Sequence, residues 1–211
     1  MTPPKLSDSV LEYREKVLAR LAPRLGSGAR LLEVGTGMGY DAVEFARRYE
    51  RIVALDLECR PEAWAALAGD RVSFVAGDAE RLPFADGSFD CVFSKDSLHH
   101  FAEPERAVAE FWRVARPGAT CQFLEANRYN PLGYVHMTLA AGHEHLSRNR
   151  FLDLVRGAGA VEVFEPFEAH VWPLGSRVVR SALRKWESAV EKVGLCRPFL
   201  SYNYAVVRVS G

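Results

Sequence analysis

The chain is poor in the residues that would announce a disulfide frame, a metal ribbon or a membrane span. Among 211 residues there are four cysteines and three methionines, and 27 basic residues balance 27 acidic ones. Cys59, Cys91, Cys121 and Cys196 are widely scattered with no CxxC pair, and two or more of them lie in apolar runs. They read as reduced, structural thiols. Zero net charge removes the usual electrostatic motive for nucleic-acid binding, so no such partner is expected. No apolar stretch approaches the roughly 18 residues a span needs, and MTPPKLSDSV lacks a basic segment followed by an apolar one. No membrane partner and a cytoplasmic location are therefore the expectation. Repeats, low-complexity tracts and interdomain linkers are also missing, which leaves one domain over 1–211.

What is present is a regular beat. Residues 7–25 place Val10, Leu11, Val17, Leu18 and Leu21 near helical spacing, a leading helix or lid within 1–28 that GSG ends. Then apolar runs alternate with amphipathic ones: ARLLEVG, the helix DAVEFARRYE, RIVALD, the helix PEAWAALAG, RVSFVAGD, FDCVFS, the helix EPERAVAEFWRVA, and TCQFLEA. Strand–helix alternation predicts an α/β fold with a parallel sheet covered on both faces, its core over 29–127. The last third breaks the beat, with a helix SRNRFLDLVRGAG, an apolar run AVEVFEPFEA, a helix around 177–193 and a final strand SYNYAVVRV. The irregular stretches 128–145 and 171–200 are the expected substrate-recognition elements, because loops above strand ends carry specificity in such sheets.

Glycines 35, 37 and 39 in LLEVGTGMGY follow a strand and precede a helix, so the main chain can turn tightly and meet a ligand closely, with Thr36 and Tyr40 in the same turn. Their spacing is GxGxG rather than GxGxxG, which does not match the dinucleotide fingerprint. Glu33 would sit badly beside a pyrophosphate but suits an amino or cationic group. Asp56, ending the second strand, can accept from both hydroxyls of an unphosphorylated ribose. Asp78 in GDAERLPF can take the exocyclic amine of adenine and the Ala79 amide a ring nitrogen, with Leu57 and Leu82 against the base.

The ordered set LLEVGTGMGY, VALDLE, GDAERLPFADGSFDCVFS, SLHHF, EFWRVARPGA and FLEANRYNP resembles the class I S-adenosylmethionine-dependent methyltransferases. It is most similar to their small-molecule branch, over about residues 30–165. The resemblance implies a Rossmann-like seven-stranded sheet in the order 3-2-1-4-5-7-6, with strand 7 antiparallel, and S-adenosylmethionine as cofactor. It implies Glu33, Gly35, Gly37 and Gly39 at the methionyl and sulfonium end. Ser94 and Lys95 would offer main-chain groups to the ligand amine. Gly118 followed by Ala119, and Asp56 followed by Leu57 and Glu58, depart from the family pattern without touching its core.

A sulfonium methyl is already activated, so positioning dominates the chemistry, and a base is needed only where the acceptor must lose a proton. The candidates are His100 first, since the loop after the fourth strand faces the methyl group in this family, then His99 and His145. Asp96 and His143 stand beside them. Tyr13, Tyr40, Tyr129, Tyr134 and Trp172 can form a pocket for a flat or apolar acceptor, with Asn127 and Asn130 as polar contacts. Trp64 and Trp112 read as core packing. HxH beside Glu144 can ligate zinc, but a closed site wants three or four convergent ligands, and no metal is expected. Transfer of a methyl group to an O, N or C nucleophile of a small biosynthetic intermediate is the expected activity, by a monomer or homodimer. A binding subunit of the same fold, or a nicotinamide-dependent oxidoreductase, is the alternative.

Overall fold

The computed structural model describes residues 6–135, 139, 145–157, 159–172 and 175–210. Ser7 opens helix α1 (Asp8–Leu21) by accepting from the Val10 amide, with Asp8 in the first turn and Arg20 in the last, charges that suit the helix dipole. Seven strands follow: β1 (Gly28–Val34), β2 (Tyr49–Asp56), β3 (Val72–Ala76), β4 (Phe89–Lys95), β5 (Ala115–Ala126), β6 (Ala160–Phe167) and β7 (Tyr202–Arg208). They make one sheet in the order β3-β2-β1-β4-β5-β7-β6. Its first five strands pair in parallel, and β7 runs antiparallel to both β5 and β6. The order and the antiparallel strand agree with the expectation.

Between the strands lie α2 (Tyr40–Phe45), α3 (Pro61–Leu67), α4 (Pro104–Val114), the single turn α5 (Pro131–Gly133), α6 (Arg148–Arg156) and α7 (Arg177–Val190). Leu31 and Leu32, neighbours in β1, belong to opposite cores, as the two-residue period of a strand requires. On one face Phe111 of α4 and Phe151 of α6 pack with Phe123 and Val92. On the other, Val17 and Leu21 of α1 and Phe45 of α2 pack with Phe93 and Tyr204. Cys91 and Cys121 are buried in these cores, and burial pushes both thiols up. One expected helix is shorter than its pattern: α2 stops at Phe45, because Tyr49 is drawn into the sheet opposite Gly28 and its hydroxyl donates to the Leu25 carbonyl.

The irregular last third is a cap. Ala126 and Phe167 both lie opposite Tyr202, so the connection 168–201 leaves and re-enters the sheet at the carboxyl edge of the parallel strands. Its helix α7 docks by charge rather than by an apolar stripe. Glu187 is fully buried and accepts from Lys16 Nζ of α1 at 2.8 Å, Trp172 Nε1 at 2.8 Å and the His170 amide at 3.0 Å. Arg184 Nη1 lies 3.3 Å from the same carboxylate, Glu191 pairs with Lys16 and Arg20, and Arg180 pairs with Glu12. Removing one partner from such a buried set strands the others, at a cost of roughly 3–5 kcal/mol. Glu187→Ala is therefore expected to lower stability by about 3 kcal/mol in chemical denaturation and to speed amide exchange across 177–190. Unchanged exchange in that segment would contradict the docking.

Candidate active site

The turn after β1 is built from three left-handed glycines, Gly35 at φ 77°, Gly37 at 54° and Gly39 at 85°. A Cβ at Gly35 would stand 2.4 Å from the Cβ of Ser97, and one at Gly39 would stand 2.4 Å from the Phe74 ring. At Gly37 nothing among the described residues lies within 4 Å, so only the backbone angle demands glycine there and an open floor remains. Asp56 Oδ2 accepts from the Gly37 amide at 2.7 Å, and Trp64 Nε1 donates to the Gly37 carbonyl at 2.9 Å. Trp64, expected only as core packing, is buried and stacked on Phe74, and it also pins this turn.

Charge at the turn is unbalanced. Glu33 is buried and accepts from Thr36 Oγ1 at 2.8 Å, and burial, with the nearby Asp41 charge, pushes its carboxyl up to about 8. Burial also raises Asp41, but Lys95 at 3.2 Å and Arg14 at 2.7 Å outweigh it and hold that carboxyl below its usual range. Lys95 is pushed down by burial and up by Asp41, Tyr13 and Asp96, with a net rise. Lys95 and Arg14 pair directly with Asp41 and act on Glu33 only through space, so Glu33 is left as a buried carboxyl with no ion pair among the described residues.

Beyond β4 the chain turns through Asp96, whose positive φ of 49° is rare outside glycine. The loop is then gathered by Glu125 at the end of β5. Glu125 is fully buried, and its Oε1 accepts from the amides of Ser97 at 2.8 Å and Leu98 at 2.7 Å, while Oε2 meets His99 Nδ1 at 2.7 Å. The ring of His99 lies 4.1 Å from that of His100 and 4.6 Å from that of His145. Burial lowers the His99 pKa, but the hydrogen bond and charge of Glu125, with Asp96, outweigh burial and set it above the ordinary value. Asp96 Oδ1 is buried with no hydrogen-bond partner among the described residues, and burial raises that carboxyl to about 6. Its other oxygen accepts from Tyr202 at 3.3 Å, and the Tyr202 and Tyr13 hydroxyls lie 2.6 Å apart.

The remaining candidates divide. Ser94 is buried, its hydroxyl 2.5 Å from that of Ser97. Asp78 is exposed and its Oδ1 caps the 3-10 turn by accepting from the Glu80 amide, above the buried Ala79. Leu57 is 75% exposed beside Asp56, an apolar side chain with room for a base, whereas Leu82 belongs to the core. Tyr40 lies under Arg14. Asn127 departs from its expected substrate role, because its amide donates to the Pro198 and Leu200 carbonyls and its oxygen accepts from Tyr129 N. Asn130 is likewise spent on the Phe199 carbonyl and the Gly133 amide. Trp172 is half-buried and tied to Glu187. Tyr129 and Tyr134 are exposed. His143 and Glu144 lie outside the described residues. Glu125, Asp41, Arg14, Ser97 and Tyr202 were missed. For Glu125 a signal existed, since a carboxylate ending a parallel strand sits at the ligand edge.

Residues 32–123 match the family model described as a methyltransferase domain. Over 169 residues the chain is 33% identical to a demethylmenaquinone methyltransferase of Roseiflexus sp., covering 77% of this chain and 68% of that protein. It belongs to the class I S-adenosylmethionine-dependent methyltransferases. A 27-O-demethylrifamycin SV methyltransferase of Amycolatopsis mediterranei is 29% identical, with 93% of this chain and 70% of the relative covered. A demethylmenaquinone methyltransferase of Roseiflexus castenholzii is 38% identical over 55% of this chain, which spans only half of that relative's length. In fold, an S-adenosylmethionine-dependent methyltransferase from Mesorhizobium loti superposes with a TM-score of 0.66 at 17% identity, covering 93% of this chain and 97% of that one.

The methyltransferase's own residues fit its cofactor, S-adenosylmethionine. Glu33 offers a buried carboxyl to a cation, Gly37 an open floor, and Asp56 a carboxylate at a strand end. In the ligand-free protein a carboxyl raised to about 8 costs stability as pH climbs from its unfolded value near 4.5 through 8. Glu33→Gln is expected to raise the melting temperature of the ligand-free methyltransferase at pH 8.5, with little change at pH 5, while weakening S-adenosylhomocysteine binding. A variant that melts lower at pH 8.5 would refute this reading of Glu33. Asp56→Ala should weaken S-adenosylhomocysteine binding roughly 10- to 100-fold in calorimetry, as loss of a hydrogen bond to a charged group does. An unchanged dissociation constant would remove Asp56 from the site.

Proposed function

We propose that the methyltransferase methylates a small-molecule acceptor at an ionisable nucleophile, with the His99–Glu125 pair as the base. The observation that carries this reading is the 2.7 Å contact between His99 Nδ1 and Glu125 Oε2 in a buried setting. Glu125 fixes the tautomer with the proton on Nδ1 and leaves Nε2 as the basic nitrogen. It also favours the imidazolium that forms when His99 takes the acceptor's proton. His100 came first by chain position, but the Glu125 carboxylate meets the ring of His99, and this reading gives the role to His99. A relative named for a 27-O-demethyl compound supports an oxygen nucleophile.

S-adenosylmethionine, when bound, supplies a methyl group already activated on a sulfonium. The chain's task is alignment, which accounts for roughly 7–11 kcal/mol of barrier in well-oriented reactions. Glu33, the glycine turn and Asp56 would hold the cofactor, with Leu57, Asp78 and Ala79 toward its base and Ser94 and Lys95 at its amine. Segments 128–145 and 171–200, of which 136–138, 140–144 and 173–174 lie outside the described residues, would shape the acceptor side, with Tyr13, Tyr129, Tyr134 and Trp172 as apolar wall and Asp96 Oδ1 as an acceptor.

With label-bearing S-adenosylmethionine and a panel of phenolic and enolic acceptors, His99→Ala and Glu125→Gln are expected to lower kcat by about 10²- to 10⁴-fold. Affinity for S-adenosylhomocysteine should be nearly kept. Because the base must be neutral, the acid limb of the wild-type rate profile lies above the ordinary histidine pKa, and Glu125→Gln moves it to lower pH. Wild-type turnover by His99→Ala would overturn the assignment.

A further inference from the structure

Helix α7 is inverted relative to an ordinary amphipathic helix. Arg180, Arg184, Glu187 and Glu191 follow one another at helical spacing along the side turned to α1 and β6, where their charges are paired. The opposite side carries Val178, Val179, Ala182, Trp186, Ala189 and, just past the helix, Val193. Of these Val178 is 78% exposed, Trp186 45% and Val193 48%. The apolar surface continues beyond the helix through Leu195, 88% exposed, and Phe199. Ordinary packing would bury this stripe and leave the charges in water, so the stripe is adapted to something outside the chain.

Charge identifies what that is. Lys185, Lys192 and Arg197 are exposed along the same segment, and none is in an ion pair among the described residues, whereas Arg177 acts on Glu12. Lys185 and Lys192 lie seven residues apart beside Ser181 and Ser188, the polar border of the apolar stripe. The acidic residues of α7, Glu187 and Glu191, are turned inward and neutralised by Lys16, Arg20 and Arg184. An exposed stripe of Val and Trp with an uncompensated basic border is the pattern of a helix that lies in the plane of an anionic bilayer surface. The absence of any helix able to cross a membrane among the described residues does not bear on such a mode. We propose that α7 and the 193–199 segment dock the methyltransferase on anionic lipid headgroups. The carboxyl edge of the sheet, from which 168–201 rises, then stands next to the lipid. The inference stands on this surface alone and does not depend on the base assignment.

Flotation with vesicles tests it, using the full chain with phosphatidylcholine alone or mixed with phosphatidylglycerol. Binding to the anionic vesicles at least about tenfold stronger than to the neutral ones is expected, and it should weaken with salt. Lys185→Glu with Lys192→Glu should remove that preference. Val178→Ser with Trp186→Ser should reduce flotation on the anionic vesicles while circular dichroism and the melting temperature are kept. Trp186 also meets Trp172 edge-on, so Val178→Ser with Val193→Ser, at two exposed side chains, is the second variant that keeps the test independent of folding. Failure of the wild-type chain to float at millimolar anionic lipid would overturn the proposal. So would a dimer in light scattering that the Val178→Ser, Trp186→Ser variant splits, because a second copy would then cover the stripe.

Discussion

A side chain at position 35 would put its Cβ 2.4 Å from the Cβ of Ser97, and the glycine that avoids this collision lets the turn after β1 touch the loop after β4. Ser97 donates to the Val34 carbonyl through its hydroxyl and to Glu125 through its amide. Glu125 in turn holds Leu98 N and His99 Nδ1. One close approach therefore ties three strand ends together, those of β1, β4 and β5. The cofactor turn and the proposed base are two ends of the same small set of contacts, which is the kind of preorganisation that positioning catalysis requires. Because the set is buried and its amides are satisfied by a carboxylate, moving either end would strand a charge as well as break a contact.

Buried charge is used in two different ways in this chain. Around Glu187 every carboxylate has its cation or donor, and the result is a docked helix with its apolar stripe turned outward. Around Glu33 the balance is left incomplete, since Lys95 and Arg14 go to Asp41. A cluster whose carboxylates are all paired holds a cap in place, even though Arg184 Nε and Nη2 stay buried without a partner among the described residues, whereas an undercompensated carboxyl is held ready for a ligand at some cost to the ligand-free fold. Asp96, with a positive φ and a buried oxygen that has no partner among the described residues, belongs to the second kind.

Most of the fold was legible in the sequence because alternation of apolar strands and amphipathic helices is a local pattern. The strands and the helix near 177–193 follow it closely, whereas the strand order came from the family resemblance, and the irregular stretch 171–200 is the larger part of the cap. Helix α2 was overestimated because DAVEFARRYE reads as helical by propensity, while Tyr49 gains more by entering the sheet. In the site, spacing pointed to the glycine turn and Asp56, and the family resemblance pointed to the histidines after β4. The pairing that ranks the histidines could not, since His99 and Glu125 are 26 residues apart and meet only because β4 and β5 are neighbours. Asn127 misled for the converse reason: a polar residue after a strand looks like a ligand contact until the returning chain at 198–200 takes its hydrogen bonds. The outward stripe of α7 was equally hidden, because the sequence shows two faces and not which one is covered.

The central claim is that the turn after β1 keeps a protonated Glu33 in reserve for a cationic group of S-adenosylmethionine. Calorimetric titration of S-adenosylhomocysteine at pH 7, in buffers of different ionisation enthalpy, measures the protons exchanged on binding. Release of about one proton by the wild-type chain, lost in Glu33→Gln, is the predicted result. A binding enthalpy that does not vary with buffer in the wild-type chain would contradict it.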